Sequence, residues 1–349
     1  MRRGLIARSL VELPDAVFDA RLDRLRAAMQ AEELDALVIY TNNTRPAGVS
    51  WLTGFVPYWS EAVLVVPRQA APYLVVALSF RVKPWIERVS RVADVLHTPR
   101  IGLKAAQQIA TTRADAAVGV VDFDGFPAGI AEDLREGGPK LTLHDASALF
   151  TALRGVADPA EIALATKGVA IGRHALAAAA GENLNAMIAF VEGEARQLGA
   201  EEIYVAAVPD LEREVRFKRI EGEVGLGKSF ALRATVAYKG TWIRLVRSVC
   251  DAAIAQEAAA RFAQAVALLP SDRGFSGFRS WLIEGCRVTQ PLDPLLGSRL
   301  GEGHLPLPGA LVSVQAALAI DGRTVLLGAP ALIGQSGQAS SLIADPLYD

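Results

Sequence analysis

Two cysteines, Cys250 and Cys286, and four histidines, His97, His144, His174 and His304, are all the thiol and imidazole groups that this 349-residue chain contains. Two cysteines cannot make a disulfide framework and suit a reducing compartment. Long apolar runs are also missing. Apolar residues make up 51% of the chain, but they come in short stretches such as "DALVIY", "AVLVV" and "YLVVAL", far below the roughly 18 consecutive residues of a membrane span. The start, "MRRGLIARSLVELPDAVFDARL", is basic, yet Glu12, Asp15 and Asp19 interrupt any secretory apolar core. The net charge of −2 carries no acidic or basic block, so nucleic acid and anionic membrane are excluded as expected partners. The expectation is a cytoplasmic protein.

At this length two domains are expected. In "RLDRLRAAMQAEELDALVIY", Leu22, Leu25 and Met29 have helical spacing and are followed by an apolar strand from Ala36 to Tyr40. "TNNTRPAGVSWLTGFVPYWSEAVLVVP" reads as a polar turn, an aromatic-rich loop and a strand ending at Pro67. Alternating strands and helices to about residue 150 fit an α/β domain. Between Leu153 and Asp158 the texture changes: Asp158-Pro159 starts a helix, and an Ala-rich helical stretch runs to Gly181. The boundary gives domains of 1–153 and 154–349. The second contains an amphipathic helix in "NLNAMIAFVEGEARQLG" and strands from Ile203, around Arg233 and Arg244, and in "ALVSVQAALAI" and "TVLLGAPALI".

Gly222-Glu-Val-Gly-Leu-Gly227-Lys228-Ser229 satisfies the G-x-x-x-x-G-K-S spacing of a phosphate-binding loop. That chemistry needs a strand entering the loop and a helix leaving it, so that backbone N–H groups face the phosphates. The flanks, "EREVRFKRIE" and the β-like "FALRATVAYKG", supply neither, and the motif reads as a glycine-bearing connection.

"RATVAYKGTWIR", residues 233–244, reads as two strands folded about Tyr-Lys-Gly. A hairpin centred between Tyr238 and Lys239 places Arg233 and Arg244 opposite each other on one face. Two guanidinium groups repel unless an acid or a bound anion lies between them. A neighbouring strand's Glu or Asp is one answer and a small anionic ligand is another.

"GLGKSFALRATVAYKGTWIRLVRSV" resembles the core segment of the creatinase, prolidase, aminopeptidase P and methionine aminopeptidase superfamily, with Tyr238, Gly240 and Arg247 in register with its pattern. "LRGVADPAEIALATKG" is similar to the family's entry helix through Leu153, Arg154, Pro159, Glu161 and Ile162. "VSWLTGFVPYWSEAVLVV" looks like the creatinase-type N-terminal domain, and "LPLPGALVSVQ" resembles the family's Leu-x-Pro-Gly segment. The resemblance implies an α/β (α+β) architecture: a creatinase-like N-terminal α/β domain, then a C-terminal pita-bread domain.

Family metalloenzymes hold two divalent ions with two Asp, one His and two Glu. The resemblance puts Arg233 and Arg244 at the two Asp positions, Cys286 at the His, Gln315 at the first Glu and Gly328, within a residue or two, at the second. No Asp or Glu lies between Asp321 and Asp345. No metal and no other cofactor is therefore expected, and the activated water of the peptidase mechanism goes with the metal. Creatinase works without metal through an upstream histidine, but residues 175 to 303 contain none. No catalytic residue is assigned: Asp210 reads as a solvated carboxylate, Cys286 as a buried thiol and His304 as a structural loop residue or part of a pocket. Trp51, Phe55, Tyr58 and Trp59 form an aromatic cluster that reads mainly as core, with a pocket or interface role as the alternative. The implied function is a catalytically degenerate peptidase or creatinase-like chain, kept as a binding, regulatory or scaffolding subunit and dimerising with itself or with a catalytic paralogue. A metal-independent hydrolase or binder of a small carboxylate or phosphate, held by Arg233 and Arg244, is the alternative.

Overall fold

The computed structural model describes residues 9–57, 59–285, 306–334 and 339–342. These fall into two compact units that part between Arg154 and Gly155.

In the first unit, helix α1 (Asp15–Ala31) leads into strand β1 (Ala36–Asn42), and a short helix α2 (Ala47–Thr53) precedes β2 (Glu61–Pro67) and β3 (Tyr73–Val76). Then come α3 (Lys83–Val89), β4 (Asp94–His97), α4 (Ile101–Thr112), β5 (Ala117–Val121), α5 (Ala128–Gly137), β6 (Thr142–Asp145) and α6 (Ser147–Gly155). The strands form one sheet in the order β4-β3-β2-β1-β5-β6. The pairs β1–β2 and β2–β3 are antiparallel and the others parallel.

Both faces of this sheet are covered, which explains why its strands read as apolar runs and not as alternating patterns. Leu37, Ile39, Leu64 and Val76 pack with Leu25 and Met29 of α1 and Phe150 of α6. On the other face, Val38, Val63, Val65 and Val118 pack with Ile101 and Ala105 of α4 and Leu134 of α5. Helix α2 occupies part of the stretch expected to be a loop. Pro46 precedes it and Gly54, at φ 78°, ends it in the left-handed conformation that glycine adopts without strain.

In the second unit, α7 (Pro159–Ala177) starts with a capping box: the Asp158 carboxylate accepts the Glu161 N–H at 2.8 Å and Glu161 accepts the Asp158 N–H at 3.3 Å. Helix α8 (Leu184–Gln197) is followed by β7 (Glu202–Val208), β8 (Phe230–Tyr238), β9 (Thr241–Val249) and α9 (Ala252–Ala267). The remaining strands are β10 (Ser280–Gly285), β11 (Leu311–Ile320), β12 (Arg323–Ile333) and β13 (Ala339–Ser341). They form an antiparallel sheet in the order β10-β11-β12-β9-β8-β7, with β13 also on β12.

One face of this sheet carries helices. Ile283, Val312, Val314 and Leu327 pack with Ile254, Phe262 and Val266 of α9. Helix α7 lies close on the β8–β9 hairpin because Gly172 has no side chain; a Cβ there would sit 2.8 Å from Leu245. Arg233, Thr235, Arg244, Ser248, Glu284, Ser313 and Gln315 point to the opposite face. Among the described residues no helix is long and apolar enough to cross a membrane.

Candidate functional site

The β8–β9 turn sets the geometry of that opposite face. Lys239 and Gly240 both have positive φ, 46° and 81°, as in the two-residue hairpin turn whose twist matches the strands. Tyr238 therefore pairs with Thr241, Arg233 with Val246 and Arg244 with Thr235. This corrects the expected register. The turn lies one residue further along, so Arg233 and Arg244 share a face but stand on the diagonal. Diagonal neighbours are about 7–8 Å apart at Cα, compared with about 5 Å for directly opposed residues. Their repulsion is eased accordingly.

Two rows of side chains run across the sheet. One passes through Arg233, Val246, Gly328, Gln315 and Leu282, each the register partner of the next. The other holds Thr235 opposite Arg244, and Pro330 and Glu284 on either side of Ser313. Of the sequence-predicted positions, Arg233, Arg244, Gln315 and Gly328 are thus brought together. Cys286 and His304 lie outside the described residues, as does Tyr58.

A chain of hydrogen bonds joins the rows. Arg233 Nη1 donates to Gln315 Oε1 at 3.3 Å, and Gln315 Nε2 donates to Glu284 Oε2 at 3.3 Å. Arg244 Nη1 meets the same carboxylate oxygen at 2.6 Å while its Nε donates to Thr235 Oγ1 at 3.2 Å. The Arg244 side chain is fully buried and that of Glu284 is 11% exposed. Arg233 also lies 4.7 Å over the Phe217 ring, a cation–π contact.

β9 and β10 are separated by β12 and β11, three ladder steps, or about 14 Å on a flat sheet. The Arg244–Glu284 bond closes this gap because two long side chains reach towards each other over Pro330 and Ser313. Gly328 shows how tightly that face is filled: a Cβ there would lie 2.6 Å from Val246 Cγ2. A glutamate at this position would need Val246 to move.

The site residue that sequence reasoning missed is Glu284. Its signal was present in "SWLIEG", where β-alternation sets Ile283 towards the core and Glu284 to the other face. Two arginines in need of an acid pointed the same way.

These residues do not fit a pair of dications. Hard or borderline dications need several anionic oxygens. Among the described residues this face offers two carboxylates: Glu202 on β7, in the row of Ala237, and Glu284, which already serves Arg244 and Gln315. At about 4 Å and an effective dielectric near 20, each guanidinium would repel a dication by about 8 kcal/mol. Among the described residues, no three His, Cys, Asp or Glu side chains cluster as metal ligands.

The remaining singled-out residues have structural roles. Trp51 and Phe55 are 4% and 0% exposed and belong to the first unit's core, which corrects the pocket or interface alternative for both. The Trp51 ring has Arg21, Arg24 and Arg154 over it at 5.2, 5.6 and 5.5 Å. Trp59 is 49% exposed and stacks on Trp85 at 6.5 Å. Arg247 donates to the carbonyls of Leu176 and Ala177, the latter at 3.1 Å, and so closes the C-terminal end of α7. Ser229 is followed directly by β8, so no helix leaves the "GEVGLGKS" loop. Asp210 accepts the Glu212 N–H at 2.9 Å and pairs with Arg213 at 3.2 Å, the contacts of a loop scaffold. Burial pushes the Cys250 thiol up, with Asp251 adding to the effect, so it is held protonated and unreactive.

Replacing Glu284 removes the carboxylate that meets a fully buried guanidinium. Glu284→Gln is expected to destabilise the chain by about 3–5 kcal/mol, as for one partner of a buried pair. In urea denaturation, Arg244→Met combined with Glu284→Leu should lose less than the single change. A loss in the double variant as large as the sum of the losses from the two single changes would mean that the pair is not coupled.

Residues 21–156 match the family model of the creatinase/prolidase N-terminal domain. The sequence matches no curated protein. Among solved structures, the prolidase from Pyrococcus horikoshii OT3 is similar at TM-score 0.69 and 15% identity over 93% of this chain and 97% of that one. The X-Pro aminopeptidase from Thermotoga maritima MSB8 gives 0.72 and 14% over 94% and 98%. The N-terminal domain of the FACT complex subunit SPT16 from Cicer arietinum (chickpea) gives 0.66 and 12% over 95% and 97%. The first unit is therefore a creatinase/prolidase N-terminal domain, and the chain as a whole has the two-domain fold of the prolidases and X-Pro aminopeptidases, with its C-terminal pita-bread domain.

Proposed function

We propose that this chain is a catalytically degenerate member of the prolidase and creatinase group, used as a binding, regulatory or scaffolding subunit that dimerises with itself or with a catalytic paralogue. The observation that carries this reading is the chain Arg233–Gln315–Glu284–Arg244. It fills the sheet face with two guanidinium groups and one committed carboxylate, where a hydrolase of this kind needs a cluster of acids and an activated water. The lost ligand set is Arg233, Arg244, Cys286, Gln315 and Gly328. One structural neighbour is described as a domain of a complex subunit, which supports a use of this fold within an assembly. Trp59, half exposed and stacked on Trp85, and Phe80, 71% exposed, give the first unit apolar surface for a partner chain.

A second reading rests on Ser313. Its hydroxyl is fully buried and has no hydrogen-bond partner, and it lies in the row that the Arg244–Glu284 pair spans. Buried hydroxyls are normally satisfied, and a small polar ligand bonded to Ser313 beside the arginines would complete it. Guanidinium groups bind carboxylate and phosphate bidentately.

The purified protein is expected to hold no stoichiometric transition metal by elemental analysis and to leave Xaa-Pro dipeptides intact. Near-stoichiometric Mn, Co, Fe or Zn together with hydrolysis would contradict the first reading. The second predicts that acetate or inorganic phosphate raises the unfolding temperature of the unmodified chain and not of Arg233→Ala. A flat response in both proteins would remove it.

A further inference from the structure

The first unit has a cavity of about 450 Å³ at the end of its sheet where β1 begins and β2 finishes. The size lies within the roughly 300–1,000 Å³ range of small-molecule sites. Ala36, Pro67, Ile109 and Ala116 give it apolar walls, with Tyr73 beside them; Arg68 and Arg113 stand at its rim.

Asp35 fixes both arginines. Its Oδ1 accepts Arg68 Nη2 at 3.1 Å and Arg113 Nη1 at 2.8 Å, and its Oδ2 accepts the Ala117 N–H at 3.0 Å. The backbone reinforces this, because the Arg68 N–H donates to the Asp35 carbonyl at 2.9 Å. The carboxylate is 12% exposed and the two guanidinium groups are 28% and 54% exposed. Arg113 Nε reaches Asp115 at 3.3 Å. A guanidinium has five N–H donors, so each arginine keeps N–H groups for a further acceptor after these bonds.

The charge balance points the same way. Two guanidinium groups face one carboxylate inside the cavity; the second acid, Asp115, is 74% exposed and solvated. Burial pushes the Tyr73 hydroxyl well above the usual phenol value, so it stays a neutral donor at working pH. An anionic head at the rim with an apolar body against the walls satisfies both halves of the lining.

We propose that this cavity is a binding site for a small organic anion, a carboxylate or a phosphate monoester with an apolar body, held by Arg68 and Arg113. Pre-orientation by Asp35 lowers the ordering cost of gripping it. The site is independent of Arg233 and Arg244.

Isothermal titration of the full chain with benzoate, phenyl phosphate, inorganic phosphate and the neutral analogue benzamide tests this. Saturable one-to-one binding is expected for benzoate, which assigns a carboxylate, or for phenyl phosphate, which assigns a phosphate ester. Inorganic phosphate and benzamide should bind at least about tenfold more weakly, a difference of about 1.4 kcal/mol. Arg68→Gln and Arg113→Gln should each weaken binding about tenfold, while Arg100→Gln leaves it unchanged. A crystal soaked in the tighter probe should show the anion within hydrogen-bond distance of both guanidinium groups, a result that needs no variant to fold. No saturable binding of either anion, binding that survives Arg113→Gln, or density only elsewhere would overturn the proposal.

Discussion

The second unit is organised around one buried ion pair. Arg244 and Glu284 sit at opposite sides of two intervening strands and meet at 2.6 Å with hardly any solvent access. A charge pair in such a place is expensive to desolvate and is kept only where hydrogen bonds satisfy the rest of both groups. Thr235 and Gln315 supply those bonds, and Gln315 passes the connection on to Arg233. The pair also has a mechanical consequence, because it ties the edge strand β10 to the central strand β9 across the polar face.

This arrangement gives a physical reason for reading the chain as a departure within its fold. A dinuclear hydrolase uses its sheet face to gather negative charge around cations. Here the cations are covalently part of the chain, and the carboxylate bonded to Arg244 is that of Glu284. The exchange is self-consistent at each point. Arg233 finds a ring and an amide, Arg244 finds a carboxylate and a hydroxyl, and at position 328 the side chain is absent because Val246 needs the space. Such a face is held together by side chains of the protein itself.

Much of the fold was legible in the sequence. The apolar runs of the first unit and the Asp158-Pro159 helix start follow directly from elementary patterns. Helix α2 was missed because its seven residues, AGVSWLT, make too few turns to show a period, although Pro46 and Gly54 bracket them. Helix α9 was not among the expected elements despite Asp251 at its start and an Ala-rich body. The register error at the hairpin has a local cause: positive φ at Lys239 is a turn property that no side chain announces. The Arg244–Glu284 contact joins residues forty apart in sequence and becomes visible only once the strand order is known, so the candidate site could be listed from sequence but not assembled.

Anomalous diffraction from crystals soaked in Mn²⁺ tests the central claim most directly. The account predicts no anomalous peak on the sheet face between Arg233, Arg244 and Glu284, with the ion pair intact. A pair of peaks there, held by oxygen ligands and with the arginines swung away, would contradict it.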